Sequence, residues 1–203
     1  AFGFGEFETN MQRINYNPGG IVGVWAEQNT REAIFAALKR REVYGSSGPR
    51  IQVKFEASTT GAVLSCGASP SSGPDVTMGG EFKSAKNAPS FIVRARADKT
   101  PLESIEIIKG QYVGDDVEES VIRVWSREGD GSSACAVWTD EAYDAEAPAF
   151  WYARVIQEPT RRWSKVQCEG AGRCNEFPDA DLMVRERAWA SPIWHLPIID
   201  ASN

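Results

Sequence analysis

Hydrolytic chemistry needs side chains that ligate, attack or shuttle protons, and this chain is poor in the most versatile of them. His195 is the only histidine, with Trp194 beside it and Pro197 close by. A catalytic zinc takes about three N, O or S ligands around an open position, so a metal centre here would be almost all carboxylate. The acidic groupings that could offer oxygens to a cation such as Ca²⁺ are Asp115-Asp116 with Glu118-Glu119, and Asp179 with Asp181. In an acidic chain such groupings read first as solvated turns, and no metal site is assigned. Nucleophilic serine is no better served. Ser46, Ser47, Ser164 and Ser191 have only His195 as a base, and none stands in a Gly-x-Ser-x-Gly run between strand and helix. No residue is assigned to catalysis from spacing alone.

Four cysteines permit two disulfides without specifying them. Cys168 and Cys174 bracket Glu-Gly-Ala-Gly-Arg, a loop able to bring two sulfurs into bonding range; buried free thiols are the alternative. Zinc is disfavoured, because close Cys-x-x-Cys spacing is missing. The even count leans toward an oxidising, periplasmic or secreted setting.

Seven tryptophans offer a binding chemistry instead, because an exposed indole can stack on a sugar face. Trp125, Trp138 and Trp151 fall inside alternating runs, where an aromatic fills a core. Trp163, Trp189 and Trp194 fall in less regular stretches; they are the binding candidates, with stapling of the tail as the alternative.

The elements that must hold these residues are mostly strands. Ile51, Val53 and Phe55 alternate with polar residues, as do Phe91, Val93, Ala95 and Ala97; Ile105 to Ile107, Val121 to Trp125, Ala134 to Thr139 and Phe150 to Ile156 follow. Turn clusters at 67–74, 98–101, 114–116 and 128–133 separate them. Short strands so punctuated predict an antiparallel β-sandwich over residues 50–203, with residues 175–203 as a short turn or helix and an extended tail. One helix precedes it: Asn29 caps, Glu32 completes the capping pair, and Ala33, Ile34, Ala37 and Leu38 form the apolar face up to about Tyr44. Residues 1–28 read as an irregular Gly-rich lead-in.

With 22 Lys+Arg against 28 Asp+Glu, the net charge is −6. That balance argues against a nucleic-acid partner, whose affinity rests on clustered cations. Arg161-Arg162 and Lys39-Arg40-Arg41 read as solvated surface. No run approaches the roughly 18–20 apolar residues of a membrane span. The first residues lack the cationic start and apolar stretch of a signal peptide.

Gly20-Ile-Val-Gly-Val-Trp-Ala-Glu27, Asn29-Thr-Arg-Glu-Ala-Ile-Phe35, Lys39-Arg-Arg-Glu42 and Ser47-Gly-Pro-Arg-Ile51 form one long signature. Pro101 to Gly110, Phe150 to Ile156 with Pro159 to Trp163, and Glu186 to Trp194 continue it in order. Together these blocks resemble the domain-of-unknown-function 3604 family, large bacterial proteins related to the PHP (polymerase and histidinol phosphatase) superfamily of metal-dependent hydrolases.

The resemblance implies that this chain corresponds to the C-terminal part of such a protein. Residues 1–49 would be the tail of an upstream α/β module and residues 50–203 the β-sandwich. The family's His, Asp and Glu ligand motifs lie upstream, so a divalent metal belongs to the parent and no cofactor to this chain. The partner implied is the missing N-terminal module. Glu27 and Arg31, at the helix entry, would face that module's cleft, or else Glu27 simply pairs with an arginine near the helix end. Apolar surface around Phe2, Phe4, Phe7, Ile21 and Val24 should then lie open or covered by a neighbour.

Overall fold

The structure is a computed structural model that describes residues 19–67, 73–85, 87–114, 116–176, 178 and 182–197. Phe2, Phe4 and Phe7, most of the Gly-rich lead-in, and Asp115, Asp179 and Asp181 lie outside the described residues.

In chain order the elements are β1 (Ile21–Val24), α1 (Arg31–Lys39), β2 (Val43–Ser46), β3 (Gln52–Ser58), β4 (Val76–Thr77), β5 (Glu81–Phe82), β6 (Ser90–Arg96), β7 (Leu102–Val113), β8 (Asp116–Ser126), β9 (Ser133–Thr139), β10 (Ala149–Gln157), β11 (Thr160–Arg161), α2 (Trp163–Ala171), β12 (Met183–Val184), β13 (Arg187–Ala190) and β14 (Ile193–His195). A 3-10 turn at Cys174–Glu176 follows α2. The chain is mainly β, in sandwich-like antiparallel sheets. One sheet runs β1-β2-β13-β10-β14-β5, with β7 along the other edge of β10 and β8 beyond it; the second runs β4-β3-β6-β9. The β14–β5 contact is parallel.

Alternation decides what lies between the sheets. Val53, Phe55 and Ala57 of β3 and Phe91, Val93 and Ala95 of β6 meet Ile105 and Ile107 of β7, Trp151, Ala153 and Val155 of β10, and Ala188 and Ala190 of β13. Trp151 is fully buried and packs on Phe91 and Phe82 at centroid distances of 5.1 and 5.9 Å. Trp125 and Trp138 pack against the same core while half-buried. A Trp151→Ala truncation would remove about 3–5 kcal/mol of this packing.

The N-terminal helix is shorter than its sequence pattern suggests. Thr30, not Asn29, is the cap, its hydroxyl accepting from the Ala33 N–H at 3.3 Å, and α1 stops at Lys39. Arg41 takes a positive φ of 61°, which no helix continues. Val43 to Ser46 are strand, pairing with β1 on one side and with β13 on the other. Tyr44 faces the core and Ser46 is buried there, so a period of two had been hidden inside an expected helix end. Residues 19–46 therefore contribute two strands to the larger sheet, β1 among them within the expected irregular lead-in.

A second departure is α2. Its last turn, ended by Gly172 in the left-handed conformation (φ 68°), occupies much of the stretch that reads as a flexible loop between Cys168 and Cys174. Glu118 and Glu119 are strand residues of β8 and not turn residues; successive strand side chains point to opposite faces, so these two carboxylates do not converge.

Candidate functional site: a cleft beside Trp189

β13 alternates Ala188 and Ala190 inward with Arg187 and Trp189 outward. Across the larger sheet Trp189 stands opposite Gly45 of β2 and Arg154 of β10. Arg154 in turn stands opposite Glu106, and Glu106 opposite Arg123. The outward row is thus a small side, an indole and then an Arg–Glu–Arg ladder. A Cβ added at Gly45 would meet nothing within 4 Å, so the space beside the Trp189 ring is open.

The ladder is electrostatically closed. Arg154 and Arg123 lie 2.7 and 3.2 Å from the Glu106 carboxylate. Burial pushes that carboxyl up, but the hydrogen bonds from Arg154 and then Arg123 outweigh it and hold its pKa below the usual value. Further along the same face Trp194 stands opposite Phe150, with ring centroids 5.2 Å apart. Phe150 lies over Gly110, where a Cβ would collide with its ring. Tyr152, between Phe150 and Arg154 on β10, has its pKa raised by burial and by nearby Glu119.

At the end of β13 this face opens into a cleft of about 240 Å³. Ser47, Arg187 and Trp189 form its sheet side; Arg162 and the Val184–Glu186 connector form the side toward α2. Ser47 organises the junction. Its hydroxyl donates to the Glu186 carboxylate and accepts from the Arg187 N–H at 2.8 Å. Arg185 is turned outward to Glu103, at 2.8 Å. Arg187 is exposed, and among the described residues no carboxylate lies within ion-pair distance of it. Chemically the arrangement can hold an anion beside an aromatic ring.

Other sequence candidates fall elsewhere. Glu27 and Arg31 are exposed near the start of α1, and Glu27 adds to the field that raises the Arg40 pKa, behind the dominant hydrogen bond from Arg40 to Glu42. Trp163, at the first turn of α2, is 39% exposed and does not line the cleft. Trp189 and Trp194 share the outward face. Cys168 is bonded to Cys174, and Cys66 to Cys135. His195 is fully buried; its Nδ1 donates to the Ala147 carbonyl at 3.0 Å and its Nε2 bonds the Tyr143 hydroxyl at 3.1 Å. Among the described residues no group of three or more His, Cys, Asp or Glu side chains could hold a metal ion, and no helix is long and apolar enough to cross a membrane.

Sequence reasoning reached Trp189 through its residue type but passed over Arg187, and read Arg162 as solvated surface. Pairing of β13 with β2 brings Ser47 to Arg187, and pairing of β11 with β12 brings Arg162 to the same connector. A family described as Protein of unknown function (DUF3604) matches this chain over residues 4–134 and 111–197. No curated protein and no solved structure gives a significant match.

Proposed function

Taking as premise that the chain belongs to the family described as Protein of unknown function (DUF3604), we propose that it is the C-terminal accessory β-sandwich region of a larger PHP-like metal-dependent hydrolase and is not catalytic by itself. Its task is to dock against the parent's N-terminal α/β module, to which residues 1–49 form the junction, and to shape or cover that module's cleft. The divalent metal belongs to the parent.

The observation that carries this reading is the open apolar edge at the start of the described chain. Among the described residues β1 is the terminal strand of its sheet, and its neighbours Ile21 and Val22, which point to opposite faces, are 45% and 62% exposed. Trp25, Phe35 and Leu38 of the following segment are also exposed, and α1 packs against β1. An unblunted apolar edge strand is an invitation to pairing that proteins normally cover. Glu27 and Arg31 lie between β1 and the body of α1, so docking along this edge would set them at the junction.

Limited proteolysis of the full-length parent tests it. Phe35→Glu with Leu38→Glu should release the region as a protease-resistant fragment under conditions that leave the unaltered parent intact. Equal resistance of the two proteins would contradict docking along this edge.

A second reading, a carbohydrate or cell-envelope binding module, is favoured by one specific observation: Trp189 and Trp194 occupy the same outward face, the first beside an open recess.

A further inference from the structure

We propose that the cleft between β13 and α2 binds an acidic saccharide, with Trp189 as the stacking platform for one sugar ring and Arg187 as the partner of its carboxylate. This deepens the ligand-binding reading and rests on it.

Geometry limits the ligand. Two residues apart on one strand, Arg187 and Trp189 project to the same side about 7 Å apart, about the span from the middle of a pyranose ring, through an acid group at its rim, to a guanidinium hydrogen-bonded to that acid. The volume of about 240 Å³ falls below the usual 300–1,000 Å³ of pockets that engulf a drug-sized molecule, so the cleft takes a single sugar residue. The open space over Gly45 lets the next residue of the chain run off along the sheet.

Charge selects the acid. The protein carries −6 overall and should repel anions in general, yet among the described residues the cleft is lined by Arg162, Arg185 and Arg187 and by one carboxylate, Glu186. Arg185 is engaged with Glu103, and Glu186 is held by Ser47. Arg187, without a carboxylate partner among the described residues, is left to offer its planar fork to a ligand carboxylate. The indole explains why the ligand is a sugar and not a bare oxyanion: a ring with an apolar C–H face gains from stacking on Trp189, whereas inorganic phosphate gains nothing there.

The test titrates the whole chain with trigalacturonate, cellotriose and inorganic phosphate, followed by tryptophan fluorescence and calorimetry. Trigalacturonate should bind, and cellotriose at least about ten-fold more weakly, as expected for loss of a charge-assisted pair. Arg187→Gln, an exposed change, should weaken trigalacturonate about ten-fold and cellotriose by clearly less. Trp189→Phe should retain part of the affinity, and Gly45→Val, which fills the recess across from Trp189, should weaken the trimer more than monomeric galacturonate. Equal binding of cellotriose would overturn the acidic assignment while leaving a sugar module standing. Binding of phosphate alone, or of trigalacturonate undiminished by Arg187→Gln, would also overturn it. No binding by any probe would remove both the assignment and the ligand-binding reading beneath it.

Discussion

Lys109 Nζ lies 2.8 Å from Asp140 Oδ2 in the protein interior, with the two side chains only 9% and 2% exposed. The pair is fully engaged: Lys109 also donates to the Ala142 carbonyl at 2.9 Å, while Asp140 accepts from Trp151 Nε1 at 3.0 Å and from the Ala142 N–H at 3.1 Å. It ties the segment after β9 to β7 and to the central tryptophan of the core. Breaking one side of such a buried pair strands the other charge, which costs about 3–5 kcal/mol. Lys109→Met and Asp140→Asn should each lower stability by that order in denaturant titration. The double variant Lys109→Met/Asp140→Leu should recover part of the loss but not all, because Trp151 Nε1 keeps no acceptor and a buried orphan donor costs about 1–3 kcal/mol.

Glu106 gives a pH-dependent prediction. Its folded pKa is depressed, so its contribution is complete above the unfolded carboxylate range, near 4.3, and is lost as pH falls through the lower folded value. Glu106→Gln should therefore cost about 1–2 kcal/mol at neutral pH and flatten the acid side of the stability profile. An unchanged acid limb in the variant would show that Arg154 and Arg123 do not hold this carboxylate.

The two disulfides should differ in weight. Cys66–Cys135 closes a loop across 69 residues and Cys168–Cys174 one across 6. Chain-entropy arguments give about 4 kcal/mol for the first and about 2 kcal/mol for the second. Thermal melts of the paired Cys→Ser variants should show the larger drop for Cys66/Cys135.

Metal dependence should be missing from the chain alone. Calorimetry with Zn²⁺ or Mn²⁺ should give no tight binding, and a generic phosphoester should not be hydrolysed above the rate of a chelator-treated control. Turnover that depends on metal and is lost on replacing the chain's own carboxylates would contradict the accessory reading.

The sandwich was legible where residues alternate cleanly, as in β6 with Phe91, Val93 and Ala95, and in β10 with Trp151, Ala153 and Val155, because burial between two layers leaves that trace. α2 left none: only Ser164 and Cys168 of its nine residues are buried, a face without apolar periodicity. β2 was masked by a helical pattern running into Val43 and Tyr44, and tertiary pairing with β13 overrode it. The cleft could not be read at all. Its residues come from 47, 162, 184–187 and 189, and nothing in those spacings brings them together until strands pair; nor does spacing join Cys66 to Cys135.

Docking of the β1–α1 edge onto the parent's upstream module is tested most directly by hydroxyl-radical footprinting of the chain alone and of the full-length parent. Val22 and Phe35, 62% and 57% exposed here, should be labelled several-fold less in the parent, while Val63 at 85% and Val166 at 56% should label alike in both. Undiminished labelling of Val22 and Phe35 in the parent would contradict it.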